Sequence, residues 1–368
     1  MNTILTKRKE DCPQSVTRQQ GKSIFKEPVV ITRLKNSFKE KPSGYYSMSI
    51  AATWAGVGSL MVGIQMAQNF GIAPFLLWAF GNTMACIVFG IFAPVIPKLR
   101  DVFNSRIMRF AVGIICMFQV WVNLNGIQAI FIPTPLTGTF GMTAAYLAAA
   151  AFIFLLLKFG MIRNVLTDNM SWSAVYLVGL ALTIGAIIYS RGSMNTLGWG
   201  IDPSSVRYGV KMGLLLLPGP FLYPYFYEIL NYNEKNEDGT RKVNVRRAFI
   251  TGGLLFGAYL TFTFLLAWTS FSPLLNTVKA FLIFLVAIST VSSFLYSIYI
   301  TFGRKPGLAI NVAVVGLWQF LIPMGVLGVW TLMASIRIYI VIGGILSAIG
   351  WHLISRKKKP GELYEKRA

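Results

Sequence analysis

Residues 208–230 read YGVKMGLLLLPGPFLYPYFYEIL. As a helix, about 20 mostly apolar residues cross a bilayer, and this stretch has that length and character. Yet Pro218-Gly219-Pro220 sits in its middle and Pro224 follows. Two prolines around a glycine remove two backbone donors and leave carbonyls without helical partners. At membrane depth such groups are tolerated only beside protein or a water-filled cavity. The break therefore marks a place where polar backbone meets something other than lipid.

A counterpart lies in the first apolar run, which begins near Met48 and contains Thr53-Trp54-Ala55-Gly56-Val57-Gly58-Ser59. Glycines there can be packing notches, but two glycines and two hydroxyls at mid-span also suit an unwound segment. Apolar segments follow along the chain at 48–67, 71–96, 108–132, 141–158, 171–190, 208–230, 247–270, 278–302, 307–324 and 332–355. They divide five and five around 191–206, and the two interruptions fall in the first helix of each half. Repeats with an odd number of spans insert in opposite orientations, the plan of many secondary transporters. The expected fold is an all-α membrane protein of about ten transmembrane helices, built as two inverted five-helix repeats with helices 1 and 6 broken. Its expected parts are a basic tail at 1–47, repeats at 48–190 and 207–355, and a second basic tail at 356–368.

Composition supports this class. Hydrophobic residues make up 55% of the chain and charged residues only 13%, against about 25% charged in soluble domains. The net charge of +21 would suit a nucleic-acid binder, but its distribution follows membrane topology. With the N-terminus inside, 29 of the 34 Lys and Arg residues fall on the cytoplasmic side. Arg191, Arg207, Lys211, Lys279 and Arg337 are placed outside. An even span count with both termini cytoplasmic satisfies the positive-inside rule, in a multi-pass protein of the cell membrane. The basic segments then face anionic lipid and lack the interleaved aromatics of a nucleic-acid stacking surface. Residues 1–45 hold no apolar core of a secretory signal, and Cys12, Cys86 and Cys116 form no metal or disulfide pattern.

The 13 acidic residues are read into the tail, loops and helix ends, with Glu228 nearest the membrane. The single histidine, His352, lies near the cytoplasmic end of the last span. No intramembrane relay is expected, no catalytic constellation points to an enzyme, and a strongly ionic substrate is disfavoured. Neutral oxygen donors remain. Span eight carries Ser289, Thr290, Ser292 and Ser293, with Ser297 a turn on. These hydroxyls either pack helices and bond back to the i−4 carbonyl or, with carbonyls of a broken helix, surround a small hard cation. In span three, Asn125 and Gln128 share a face from which Asn123 points away. Their amides either meet a polar substrate or tie helices together. Tyr223 and Tyr227 share a face after the second break, whereas Tyr225 and Tyr227 are expected as interfacial anchors.

Thr53-Trp54-Ala55 through Gly63, with Gly71-Ile72-Ala73-Pro74-Phe75 and Trp78-Ala79-Phe80-Gly81-Asn82, resembles the first two core helices of the sodium:solute symporter family. That family lies within the amino acid–polyamine–organocation superfamily. Ala287-Ile288-Ser289-Thr290-Val291-Ser292-Ser293 resembles its eighth core helix, and Val243 to Phe249 its seventh helix start. The likeness covers residues 48–303 loosely. It implies a sodium site formed by Ser289 and Thr290 with backbone carbonyls near Thr53 and Gly56. It also implies a substrate site between the two breaks, for which Ala55, Gly58, Ser59, Asn125, Gln128, Gly219 and Tyr223 are the candidates. The chain departs from the pattern by stopping at ten core helices and by leading with a basic tail. Two functions are carried forward: sodium-coupled symport of a small polar solute by alternating access, and a ligand sensor or scaffold that keeps the fold without turnover. Neither needs a cofactor beyond the coupling ion, and the substrate stays open among amino acids, nucleobases, urea-like solutes and sugars.

Overall fold

The structure is a computed structural model. It describes residues 42–96, 98–103, 105–130, 143, 146–151, 153, 161–189, 197–231, 243–268, 273–318 and 325–357. The fourth expected span, at 141–158, lies largely outside these residues. So do 1–41 of the first tail and most of the second.

Every regular element described is helical. The first half holds α1 (Pro42–Trp54), α2 (Val57–Phe70), α3 (Ile72–Phe92), the short α4 (Leu99–Phe103), α5 (Arg106–Ile130) and α6 (Met161–Tyr189). The second holds α7 (Pro203–Leu216), a 3-10 turn (Gly219–Leu222), α8 (Pro224–Leu230), α9 (Val245–Trp268), α10 (Pro273–Phe302), α11 (Arg304–Leu317) and α12 (Gly325–Lys357). Among the described residues five helices are long and apolar enough to cross a membrane, or six when α1 and α2 count as one bent span. Their outer faces carry exposed Phe80, Leu177, Ile342 and Leu346. Large apolar side chains exposed along several such helices form a surface suited to lipid rather than water. The chain is a multi-pass membrane protein.

Helix contacts fall into mirrored pairs. The second helix of the first half, α3, packs on the broken helix of the second half, α7; the second helix of the second half, α9, packs on α1. In the same way α5 packs on α12 while α10 packs on α6, and the related helices α3 and α9, and α5 and α10, pack on each other. Swapping the halves leaves this pattern unchanged, as two inverted repeats require.

Glycine sets the closest of these crossings. A Cβ on Gly81 of α3 would stand 2.5 Å from the Cα of Gly213 in α7, so the two backbones touch. The start of α7 is fixed by Asp202, whose carboxylate accepts from the Ser205 N–H at 2.9 Å. Hydrogen bonds from Ser204 and Ser205 hold that carboxyl well below the usual carboxylate range. The start of α3 borrows its partners from afar: Ile72 N–H donates to Gly198 O (3.0 Å) and Ala73 N–H to Trp199 O (2.9 Å). These bonds satisfy first-turn donors that no helix can satisfy itself.

Three expectations are corrected. The fifth span does not begin at 171: α6 starts at Met161, roughly 15 Å earlier along the helix, which brings Asp168 inside the bundle at 0% exposure. Arg337 is not on an outer surface, for it lies within α12 and is 1% exposed. Tyr225 is no interfacial anchor, being fully buried with its hydroxyl 2.6 Å from Ser49 Oγ. The absence of intramembrane charge expected from sequence therefore fails twice. The ten residues 161–170 had looked like loop, and Arg337 like a surface cation, because hydropathy averages over a window, while burial is decided residue by residue in the packed bundle.

Candidate functional site

Helix α1 stops at Trp54, and α2 starts at Val57 after a bend of 62°. Gly56 between them is extended, with φ −108° and ψ 175°. A Cβ there would stand 2.9 Å from Asn123 Oδ1 and 3.3 Å from Thr290 Cγ2. Glycine is required because α5 and α10 both close on the break. Asn123 caps it by accepting from the Val57 N–H at 2.9 Å while its own amide donates to Gln119 O at 2.7 Å. One turn earlier on the same face, Gln119 Nε2 donates to the hydroxyl of Tyr223 at 2.7 Å. Tyr223 is the extended residue between the 3-10 turn and α8. A single face of α5 thus holds both broken helices.

On the other side of the first break, Thr290 Oγ1 lies 2.6 Å from Ala55 O, 2.9 Å from Val286 O and 3.3 Å from Ala52 O. A hydroxyl has one proton. It satisfies one of these carbonyls; Val286 O is the i−4 carbonyl of the same helix, so the carbonyls left facing the hydroxyl at the end of α1 are those of Ala52 and Ala55. Carbonyl and hydroxyl oxygens gathered in this way are the donor type a small hard cation takes.

Beside it runs a buried polar chain. Ser289 Oγ donates to Asp168 Oδ1 at 3.1 Å, Ser49 donates to Asp168 Oδ2, and Asn164 Nδ2 reaches the same oxygen at 3.4 Å. Thr53 Oγ1 donates to Ser293 Oγ at 3.1 Å. Asp168 has donors around it but, among the described residues, no cationic side chain in ion-pair contact. A carboxylate without a cation is costly away from water, so the group either holds a proton or meets a cation.

Between the two breaks lies a cavity of about 20 Å³ lined by Trp54, Gly58, Ser59, Asn82, Tyr223 and Arg337, among others. The Trp54 indole donates to Asn82 O at 2.9 Å, and the Trp54 and Tyr223 rings lie 5.5 Å apart. A larger cavity of about 630 Å³ opens at the α4 end, with Lys98, Arg100, Asp101, Tyr227 and Arg246 on its walls. Tyr227 is one helical turn from Tyr223. Phe89 packs against Phe221, Phe226, Tyr227 and Phe249 with centroids 5.0–5.8 Å apart, closing the bundle in the same region.

Of the residues expected from sequence, Gly58, Ser59 and Tyr223 line the inner cavity, as does Gly56. A Cβ on Gly219 would sit 3.0 Å from Arg337 Nη1, which puts this glycine at its rim. Thr290 stands among carbonyls of Ala52 and Ala55, each one residue before Thr53 and Gly56. Gly56 O instead accepts from Ser59 Oγ at 2.7 Å. Asn125 is bonded through Oδ1 to the Trp318 indole and lies outside the cavity lining. The side chain of Gln128 lies outside the described residues. On α5 it is Gln119, Asn123 and Gly126, spaced i, i+4, i+7, that meet the breaks, a spacing readable in the sequence, while Asn125 ties α5 to Trp318, one of the two roles expected of it. Asp168 and Arg337 were not among the expected site residues.

No protein-family model matches the chain, and no curated protein matches it. Among solved structures, the crystal structure of a manganese transporter mutant from Eremococcus coleocola is similar at 17% identity and a TM-score of 0.37, covering 88% of this chain and 73% of that one.

Proposed function

We propose that this protein is a secondary transporter that couples movement of a small solute to a monovalent cation, sodium first among the candidates, by alternating access. The observation that carries this is the position of Thr290 Oγ1 within 3.3 Å of three carbonyls, two of them at the break of α1. Cation binding there joins α10 to α1. Solute bound in the adjacent cavity shares the same unwound segment, so the two binding events are linked by a coupling free energy. The resemblance of residues 48–303 to sodium:solute symporters supports the same assignment. Catalysis is not part of this reading.

The topology proposed is that of a cell-membrane protein with both termini cytoplasmic and its basic loops against anionic lipid. Removing buried Arg337 from the outer tally leaves four basic residues there, against 29 inside, which strengthens the asymmetry.

The test is uptake into proteoliposomes of radiolabelled amino acids, nucleobases, urea and sugars, driven by sodium or choline gradients. Wild type is expected to accumulate a solute only with sodium, and Ser289→Ala/Thr290→Ala to lose that dependence. Unchanged sodium dependence in the double variant removes the ion-site assignment. Solute binding without any flux would favour a sensor that keeps the fold.

A further inference from the structure

We infer that the cleft between the two breaks takes a solute bearing one carboxylate, and that Arg337 is the group that binds it. This rests on the reading of that cleft as the solute site and names the class of solute.

Arg337 is 1% exposed and stands twelve residues into α12, roughly 18 Å from its start, well inside the bundle. Its Nε donates to Leu215 O at 3.3 Å, its guanidinium carbon lies 5.9 Å from the Trp54 ring centroid, and it lines the inner cavity. Nη2 is buried and has no hydrogen-bond partner. No acidic side chain of the described residues pairs with it. The carbonyl and the indole do not neutralise the charge. An arginine left this way is costly unless something supplies an anion, and a guanidinium is built to take a planar carboxylate on two parallel N–H donors.

The surroundings narrow the anion further. One guanidinium matches one negative charge, whereas a phosphate dianion would leave charge unmatched. The other walls are Trp54, Leu216, Tyr223 and Trp330 with the polar side chains of Ser59, Asn82 and Gln119. The space of about 20 Å³ is that of roughly one water molecule, so in this conformation it admits a carboxylate's oxygens and the cleft has to widen to seat the carbon skeleton. The Tyr223 hydroxyl already accepts from Gln119, so its own proton is free to be donated to a second carboxylate lone pair. At the α4 end, Lys98, Arg100 and Arg246 line the larger cavity against the single carboxylate of Asp101, a positive field that raises the local concentration of anions.

The test uses the full chain in detergent, with wild type, R337Q and R337K compared by thermal shift and by tryptophan fluorescence. The probes are acetate, propionate, pyruvate, lactate, glycine and L-alanine, each against its neutral amide, with chloride and inorganic phosphate as separate arms. Carboxylates are expected to stabilise wild type and their amides not to do so. R337Q is expected to weaken the response about 10- to 100-fold, the loss of a charge-assisted contact, and R337K to recover part of it. Matched size-exclusion profiles and helix content for the variants separate lost binding from lost fold; if R337Q fails to fold, R337K against the acid–amide pairs decides. The inference is overturned if amides stabilise as well as acids, if chloride or phosphate alone reproduces the Arg337-dependent shift, if no carboxylate in the panel binds, or if folded R337Q responds like wild type. Carboxylate binding without flux in liposomes would instead count against transport and leave the anion site standing.

Discussion

Replacing Asn123 with leucine isolates the device that keeps α1 and α2 apart. Leucine has similar bulk and is apolar, so the site stays filled while two hydrogen bonds vanish, the 2.9 Å bond from Val57 N–H and the 2.7 Å bond to Gln119 O. Gln119 O lies on a helix and keeps its backbone partner four residues on. Val57 N–H has no such alternative while the chain stays bent. A buried donor left alone costs about 1–3 kcal/mol. The relief open to it is to rewind the break so that Val57 N–H reaches Thr53 O, which would pull Ala52 and Ala55 away from Thr290. Asn123→Leu is therefore expected to destabilise by about 1–3 kcal/mol and to weaken sodium stabilisation together. Asn123→Asp keeps the acceptor and is expected to keep the bend. Reversible unfolding in mixed micelles with added SDS, with and without sodium, measures both effects. A leucine variant matching wild type in stability and in sodium response would refute the idea that this amide holds the break open.

Asp168→Asn keeps the shape and an acceptor for Ser49 or Ser289 while removing an unpaired buried charge, so the protein should melt no lower than wild type yet lose cation-dependent uptake. Melting and flux measured on the same preparation check this, and retained cation dependence would count against a role for the carboxylate. Gly81→Val puts a branched side chain where a Cβ already stands 2.5 Å from Gly213 Cα. Overpacking of about 1–3 kcal/mol or more is expected, seen as a lower midpoint in the same SDS titration, whereas Gly316→Val, where a Cβ meets nothing within 4 Å, should be nearly silent.

The breaks were legible because proline and glycine announce backbone trouble wherever they stand, and the spans because a bilayer demands long apolar runs. Asp168 was hidden by its neighbours. Residues 161–170, MIRNVLTDNM, average too polar for a span, so the whole segment reads as a loop. Its periodicity tells more: Asn164, Asp168, Trp172 and Val175 are spaced four, four and three apart, one helix face, and all are buried. Arg337 misled for the opposite reason. A lone cation near the start of an apolar run is ordinarily a surface anchor, and only the packing of α12 against the 3-10 turn reveals that it points inward. The serines and Thr290 of α10 were visible as a cluster, but which carbonyls they meet depends on how α1 bends, and no residue pattern carries an angle.

The two borrowed bonds at the start of α3 reach further than capping one helix. Through Gly198 and Trp199 the connector between the repeats is fastened to the turn after α2, and from there it runs directly into α7, whose backbone already touches α3 at Gly81 and Gly213. Helices α3 and α7 are thus lashed together by main-chain contacts and, with α9 packed on both α3 and α1, form one block. Helices α5, α6, α10 and α12 pack as the other, which meets α1 through α6 and α10. Displacing one block against the other would leave this lashing intact and would strain chiefly the seam, where Thr290 and Asp168 face α1.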